Sequence, residues 1–336
     1  MRSFDYSGFV CPATGEALSL ETHPRSSEAD YLRSASGRIY PIHNGIPVLL
    51  AESSAADHSQ EVRQNQDYYR AVGKEYDAGM TWLFESFYAD ERKVRNDLAD
   101  KLGLRAGSRV LEVGCGTGRD ILNLSERIGR DGHLFASDLS LEMLNIGLER
   151  LETSGDLDRS PASVSLFVSD ATALPLPDNY FDAVFHFGGI NLFSDRRRGI
   201  AEMARVTKPG GRVVFGDEGV APWLGSGQFG QILKNSNPLY RHSPPIESLP
   251  VEADEVSLGW ILGGAFYVID FVKREGPPRI NLDLPIPGRR GGTHRSRFFG
   301  QLEGIDPALR DRASAAAQAE GVSFQQWLER IIHKNT

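Results

Sequence analysis

The sequence predicts an α/β protein in which a mostly parallel sheet carries helices on both faces. Three observations predict it. Apolar, β-branched runs alternate with amphipathic stretches from about residue 61 to 218. The first run, SRVLEVGCG (108–116), opens into glycines, and the later ones end in acidic or polar residues. Strands alternating with 10–15-residue helical stretches imply right-handed βαβ units and a parallel sheet.

The elements follow in order. Residues 1–50 are turn-rich, and GRIYPIHNGIPVLL reads as two short strands around Asn44-Gly45, which supply the positive φ of a tight hairpin. Residues 51–60, AESSAADHSQ, read as a linker. EVRQNQDYYRAVGKEYD and the residues up to Leu104 read as helical. RDILNLSERIG, LEMLNIGLERLE and DRRRGIAEMARVTK are the helices between strands, and HLFASD, VSLFVSDA, FDAVFHFGG and RVVFGDE are strands. After Glu218 the alternation stops in a Pro-, Gly-, Ser- and Asn-rich run (219–258), followed by the strand-like AFYVIDFVKR (265–274) and HRSRFFGQL (294–302). The last thirty residues read as two short helices broken at Gly321, with Asp306-Pro307 and Ser323 as starts.

Composition bounds the function. The chain has 336 residues, 40% hydrophobic and 24% charged, with a net charge of −8. An acidic balance argues against nucleic acid, whose binders show a basic face. No run approaches the ~18 apolar residues of a membrane span, and no secretory signal follows the first Met, so a cytoplasmic location is expected. Two cysteines, Cys11 and Cys115, build neither a disulfide framework nor a four-thiolate zinc site, and no metal is expected.

The chemistry concentrates in VLEVGCGTG (110–118). Gly114, Gly116 and Gly118 allow a ligand close to the backbone, and the following helix start offers free N–H groups to an anion. A lone glycine loop fits a dinucleotide fold equally well. The spacing here is G-x-G-x-G. Asp138 ends the next strand twenty residues later, placed to bond ribose hydroxyls. Asp170, with the Ala171 amide beside it, ends the third strand, placed to read an adenine edge.

With LEVGCGTG, ASDLSLEML, SDATALPLPDNYFDAV and EMARVTKPGGRVVF, the chain resembles the class I methyltransferases over roughly residues 60–218, in the group that includes ubiquinone/menaquinone-biosynthesis enzymes. The resemblance implies a Rossmann-like, seven-stranded sheet, S-adenosyl-L-methionine as cofactor, and cofactor contacts at Glu112, Gly114, Cys115, Gly116, Gly118, Asp138, Leu139, Met143, Asp170 and Ala171. Tyr68 and Tyr76 lie on the leading helix, which in such enzymes closes over the cofactor; they serve equally as amphipathic core. Cys115 has no partner base, so its role reads as steric. Such a sheet needs two final strands, assigned to 265–274 and 294–302, which sets a catalytic domain at 61–303 with an insert at 219–264 and a helical appendage at 304–336 for packing or dimerisation. The appendage also resembles a ribbon-helix-helix pair. The first fifty residues resemble a zinc-ribbon module whose knuckles have lost their ligands: Cys11 stands alone, with Ser34 and Ser36 in the second knuckle.

His186, at the end of the fourth strand, is the candidate catalytic or substrate-orienting residue, against the reading of a core-edge histidine held by a carbonyl. Asp217 and Glu218 end the fifth strand as pocket-lining or capping groups. Trp223 and the insert aromatics line a pocket or fill core. Arg289, Arg290, His294 and Arg295 sit among glycines as an anion site or a solvated turn. The expected function is methyl transfer to a small anionic or aromatic metabolite. The alternatives are an RNA or protein methyltransferase and a non-catalytic S-adenosylmethionine-binding regulator.

Overall fold

The structure, a computed structural model, describes residues 5–22, 30–51, 76–287, 291–299 and 306–336. Two compact units divide at Pro277/Pro278.

The first unit holds the seven-stranded sheet. Strands β5 (Arg109–Val113), β6 (His133–Asp138), β7 (Ser163–Val168), β8 (Phe181–Phe187) and β9 (Thr207–Glu218) are mutually parallel. β10 (Ala253–Ile261) and β11 (Phe266–Lys273) are antiparallel to their neighbours, in the order β10-β11-β9-β8-β5-β6-β7. The strands are near-continuous apolar runs because both faces are covered. Val110, Leu134, Ala183 and Val214 pack on one face, and Leu111, Phe135, Val184 and Val213 on the other, as a period of two requires. The helices are α1 (residues 76–86), α2 (Glu91–Asp100), α3 (Ile121–Ile128), α4 (Leu141–Thr153), α5 (Asp156–Arg159), α6 (Arg196–Val206) and α7 (Gln228–Ser236). Asp90, Ser140 and Asp195 cap α2, α4 and α6 with their side chains.

Residues 18–47 form a second antiparallel sheet, β1 (Leu18–Glu21), β2 (Tyr31–Ser34), β3 (Ile39–His43) and β4 (Ile46–Pro47). The expected hairpin is present, with positive φ at Asn44 and Gly45. This sheet covers the edge strand β7: Val48 bridges Val168 in parallel, and the Leu49 amide donates to the Val168 carbonyl at 2.9 Å. Phe9 is buried against Phe167 and Phe135, with ring centres 4.9 and 5.7 Å away, so the small sheet and the large one share a core. The turns around Cys11 and Ser36 in this small sheet are closed by side chains. Glu16 accepts from Ser36 Oγ at 2.6 Å and from Thr14 Oγ1 at 3.1 Å, and Cys11 Sγ lies 3.1 Å from the Tyr40 hydroxyl.

The last two strands differ from the expectation. AFYVIDFVKR is β11, but its partner is β10, inside the stretch read as irregular insert. β10 is an edge strand with charged, exposed residues and a bulge between Asp254 and Ser257, where Glu255 has φ 48°, so its apolar alternation is weak. Over its described residues, 294–299, HRSRFFGQL is not a sheet strand. His294–Phe299 is helix α8 of the second unit, started by reciprocal bonds between Thr293 and Ser296: Thr293 N to Ser296 Oγ at 2.8 Å and Ser296 N to Thr293 Oγ1 at 3.0 Å. The second unit also holds α9 (Pro307–Ala319) and α10 (Phe324–Asn335). Asp306 caps the first of these and a Ser323–Gln326 capping box starts the other, both at the expected positions. Among the described residues no helix is long and apolar enough to cross a membrane.

The shared core predicts that Phe9→Ala destabilises the whole first unit by about 3–5 kcal/mol, measured by denaturant unfolding. A loss below about 1 kcal/mol would show that the small sheet is not part of the core.

Candidate functional site

The carboxyl ends of β5, β6, β7 and β8 surround one cavity, with about 830 Å³ of open space including its mouth. Ligand clefts commonly fall between about 300 and 1,000 Å³. Val113, Gly114 and Gly116 form its floor; Ser137, Asp138, Leu139, Ser140 and Met143 follow from β6 into α4; Ser169, Asp170 and Ala171 follow β7. His186, Gly188, Gly189 and Leu192–Ser194 come from the end of β8, and Tyr76 from α1.

The glycine loop is built for close approach. Gly114 and Gly116 have φ of 66° and 55°, where an L side chain is strained. A Cβ on Gly114 would meet the His186 ring at 3.2 Å. The loop is braced from behind by α4: Gly147 leaves room for the Thr117 backbone, and Arg150 donates to the carbonyls of Thr117 (3.0 Å) and Gly118 (2.9 Å). Asp138 ties this loop to the end of β6. Its Oδ2 accepts from Gly116 N and its Oδ1 from Ser140 N, both at 2.9 Å. Burial raises its pKa, against the pull of those amides. Each carboxylate oxygen has a second lone pair, so two ribose hydroxyls can still be accepted. Asp170 Oδ1 takes Thr172 N and Oγ1 at 2.8 and 2.7 Å, which fixes the turn after β7.

Two buried polar atoms of cavity-lining residues have no partner among the described residues: Ser169 Oγ and His186 Nε2. His186 Nδ1 lies 2.7 Å from the Val113 carbonyl. A carbonyl only accepts, so the proton sits on Nδ1 and Nε2 is left as an acceptor. Burial lowers the His186 pKa, which keeps the ring neutral. The histidine is therefore held by a carbonyl and also presents an unsatisfied acceptor at the cavity.

Of the expected cofactor residues, Tyr76, Gly114, Gly116, Asp138, Leu139, Met143, Asp170 and Ala171 line the cavity. Glu112, Cys115 and Gly118 do not. The Glu112 carboxyl is buried and pushed well up by burial, then by Asp120. Burial pushes the Cys115 thiol up as well, in keeping with a steric role. Gly118 packs on Ile121 and Leu151. Tyr68, Arg289 and Arg290 lie outside the described residues. His294 and Arg295 open α8 of the second unit, and Arg295 pairs with Asp283 at 2.8 Å. Trp223 is two-thirds exposed, edge-on to Trp260, and does not line the cavity. Sequence reasoning missed Ser137 and Ser169, each next to an expected acid, Ser140, two residues after one, and the wall Gly188–Ser194. The only signal for that wall is the Gly-Gly pair after a strand end.

Beside the cavity, Asp217 is fully buried and accepts from Asn191 N at 2.6 Å and Glu218 N at 2.8 Å, a capping role. Burial, then its neighbour Asp217, pushes the Glu218 pKa up to about 10. An acid whose pKa rises on folding holds a proton that the unfolded chain has released. The stability that Glu218 contributes therefore falls as pH rises between the ordinary carboxyl value and about 10. Glu218→Gln, which carries no titrating proton, is expected to flatten that slope when unfolding free energies at pH 6 and pH 9 are compared. An unchanged slope would contradict the assignment.

Residues 110–211 match the family model described as methyltransferase domain. The chain is 32% identical over 168 residues to the ubiquinone/menaquinone biosynthesis C-methyltransferase UbiE of Yersinia pestis (strain Pestoides F), covering 46% of this chain and 65% of that protein. The match thus spans a little under two thirds of that relative. Among solved structures it is similar to a SAM dependent methyltransferase from Aquifex aeolicus, at 22% identity and TM-score 0.39, covering 55% of this chain and 94% of that one. It is also similar to phosphoethanolamine N-methyltransferase 2 of Haemonchus contortus in complex with S-adenosyl-L-methionine, at 15% identity and TM-score 0.47, covering 62% and 60%. The stretch that supplies the glycine loop, Asp138, Asp170 and His186 is the stretch that matches the methyltransferase domain.

Proposed function

We propose that this chain is a class I S-adenosylmethionine-dependent methyltransferase acting on a small molecule. The observation that carries the reading is the convergence of the G-x-G-x-G loop, Asp138 and Asp170 on one cavity that also holds two unsatisfied buried polar atoms. The strand order supports it against a dinucleotide-binding reading. Dinucleotide folds run 3-2-1-4-5-6, with the sixth strand beside the fifth. Here an antiparallel strand, β11, lies between β9 and the edge. The net charge of −8 speaks against an RNA substrate. The named relative is a C-methyltransferase of quinone biosynthesis, and what we carry over from it is a small-molecule acceptor.

The residues fit the cofactor. Asp138 would hold the ribose, Asp170 and the Ala171 amide the adenine, and the Gly114–Gly116 backbone the amino-acid end. Held there, the cofactor would supply a sulfonium-activated methyl group, with S-adenosylhomocysteine as the leaving group. The protein's contribution is placement and water exclusion. His186 is a neutral acceptor fixed by Val113, suited to orient a donor on the acceptor molecule.

Calorimetric titration with S-adenosylmethionine and S-adenosylhomocysteine tests the reading. Micromolar binding is expected, and Asp138→Ala should weaken it by about 10- to 100-fold, the effect of losing charged hydrogen bonds to the ribose. No binding by the wild type, or unchanged binding by the variant, would contradict it.

A further inference from the structure

Helix α1 is fastened at its two ends by different means. Its trailing half is held by apolar packing, with Phe84 buried beside Val220, Tyr240 and Phe266. Its first described turn meets the glycine loop through charge. Asp77 Oδ1 accepts from Thr117 Oγ1 at 2.8 Å and from Arg119 Nη1 at 2.9 Å, and Asp77 Oδ2 lies 4.0 Å from Arg150 Nε. Arg119 also makes a two-pronged pair with Glu91 of α2, Nε to Oε1 at 2.8 Å and Nη2 to Oε2 at 2.5 Å. Glu91 accepts from Arg95 at 2.7 Å, and Arg95 bonds Asp120 at the start of α3. Paired guanidinium–carboxylate geometry fixes direction as well as distance. The network is only partly exposed, with Arg119 at 19%, Glu91 at 22% and Asp77 at 33%.

Tyr76 stands one residue before Asp77. It lines the cavity, and its ring atoms lie 3.7 Å from where a Cβ on Gly116 would be. Its hydroxyl is pushed up to about 12, first by burial and then by Asp138, so it stays a protonated donor. The ionic tie beside that tyrosine stays clear of the cavity, since neither Asp77 nor Arg119 lines it.

We propose that Asp77 and Arg119 are positioning residues for cofactor binding: they fasten α1 to the glycine loop through Thr117 and thereby hold Tyr76 over the cofactor cavity. This rests on the cofactor reading above. Arg119 carries the tie onward to Glu91, so α1, the loop and α2 share one guanidinium as their common fastening.

A double-mutant cycle tests it, read as the affinity of the wild type, Tyr76→Ala, Asp77→Ala and the double variant for S-adenosylhomocysteine. Each single variant is expected to bind about tenfold more weakly, and the double variant no more weakly than Tyr76→Ala alone. Asp77→Asn, which keeps an acceptor for Thr117 and loses the ion pair, is expected to fall between the wild type and Asp77→Ala. The ligand-free unfolding midpoint of each Asp77 variant should stay within about 3 °C of the wild type, as a partly exposed ion pair implies. Losses that multiply in the double variant, or wild-type affinity in Asp77→Ala, would overturn the proposal. A wild type that does not bind S-adenosylhomocysteine would overturn the cofactor reading instead, and this inference with it.

Discussion

The bond from Gly116 N–H to the Asp138 carboxylate is the constraint on which the site depends. It joins the end of β6 to the middle of the loop that leaves β5, and so fixes the cavity floor against its wall. The parallel register of β5 and β6 brings the two ends level, with Val113 opposite Ser137. Arg150 and Gly147 of α4 hold the loop from the other side. Moving any of these shifts the glycine backbone, the surface the ligand must approach. The carboxylate is costly to bury, and the amides of Gly116 and Ser140 are the compensation it receives.

The same logic separates groups at the cavity from groups behind it. Glu112, Asp120, Arg95, Glu91, Arg119 and Asp77 form a charged layer under the loop, where each carboxylate but Glu112 meets a guanidinium. Burial pushes Glu112 toward its neutral form, which lowers the cost of leaving Oε2 without a partner. At the cavity itself two carboxyl groups, Asp138 and Asp170, stand among uncharged ones: His186 is held neutral by burial, and Ser169 Oγ has no partner among the described residues. The charged layer shapes the loop, and the polar lining is left to meet ligands.

What could be read in the sequence follows from distance along the chain. Gly114, Gly116, Asp138 and Asp170 each sit at the end of an apolar strand run, so strand order alone brings them together. The wall from Gly188 to Ser194 has no period and no acid, and only folding shows that it turns into the cavity. β10 was hidden because an edge strand half in solvent carries charge where a core strand would carry Val or Ile. The 294–299 helix was hidden by its aromatic pair, Phe298-Phe299, which suits a strand, while its signal was the Thr293–Ser296 cap. The tie between Asp77 and Arg119 spans 42 residues and depends on the angle of α1, which no local pattern encodes.

Binding of S-adenosylmethionine or its product at this cavity can be located by hydrogen exchange read peptide by peptide. With saturating S-adenosylhomocysteine, slowed exchange is expected in peptides covering residues 113–118, 137–143, 169–172 and 186–194, and no change in 306–336. Unchanged exchange in the glycine-loop and Asp138 peptides, with protection confined to other segments, would contradict it.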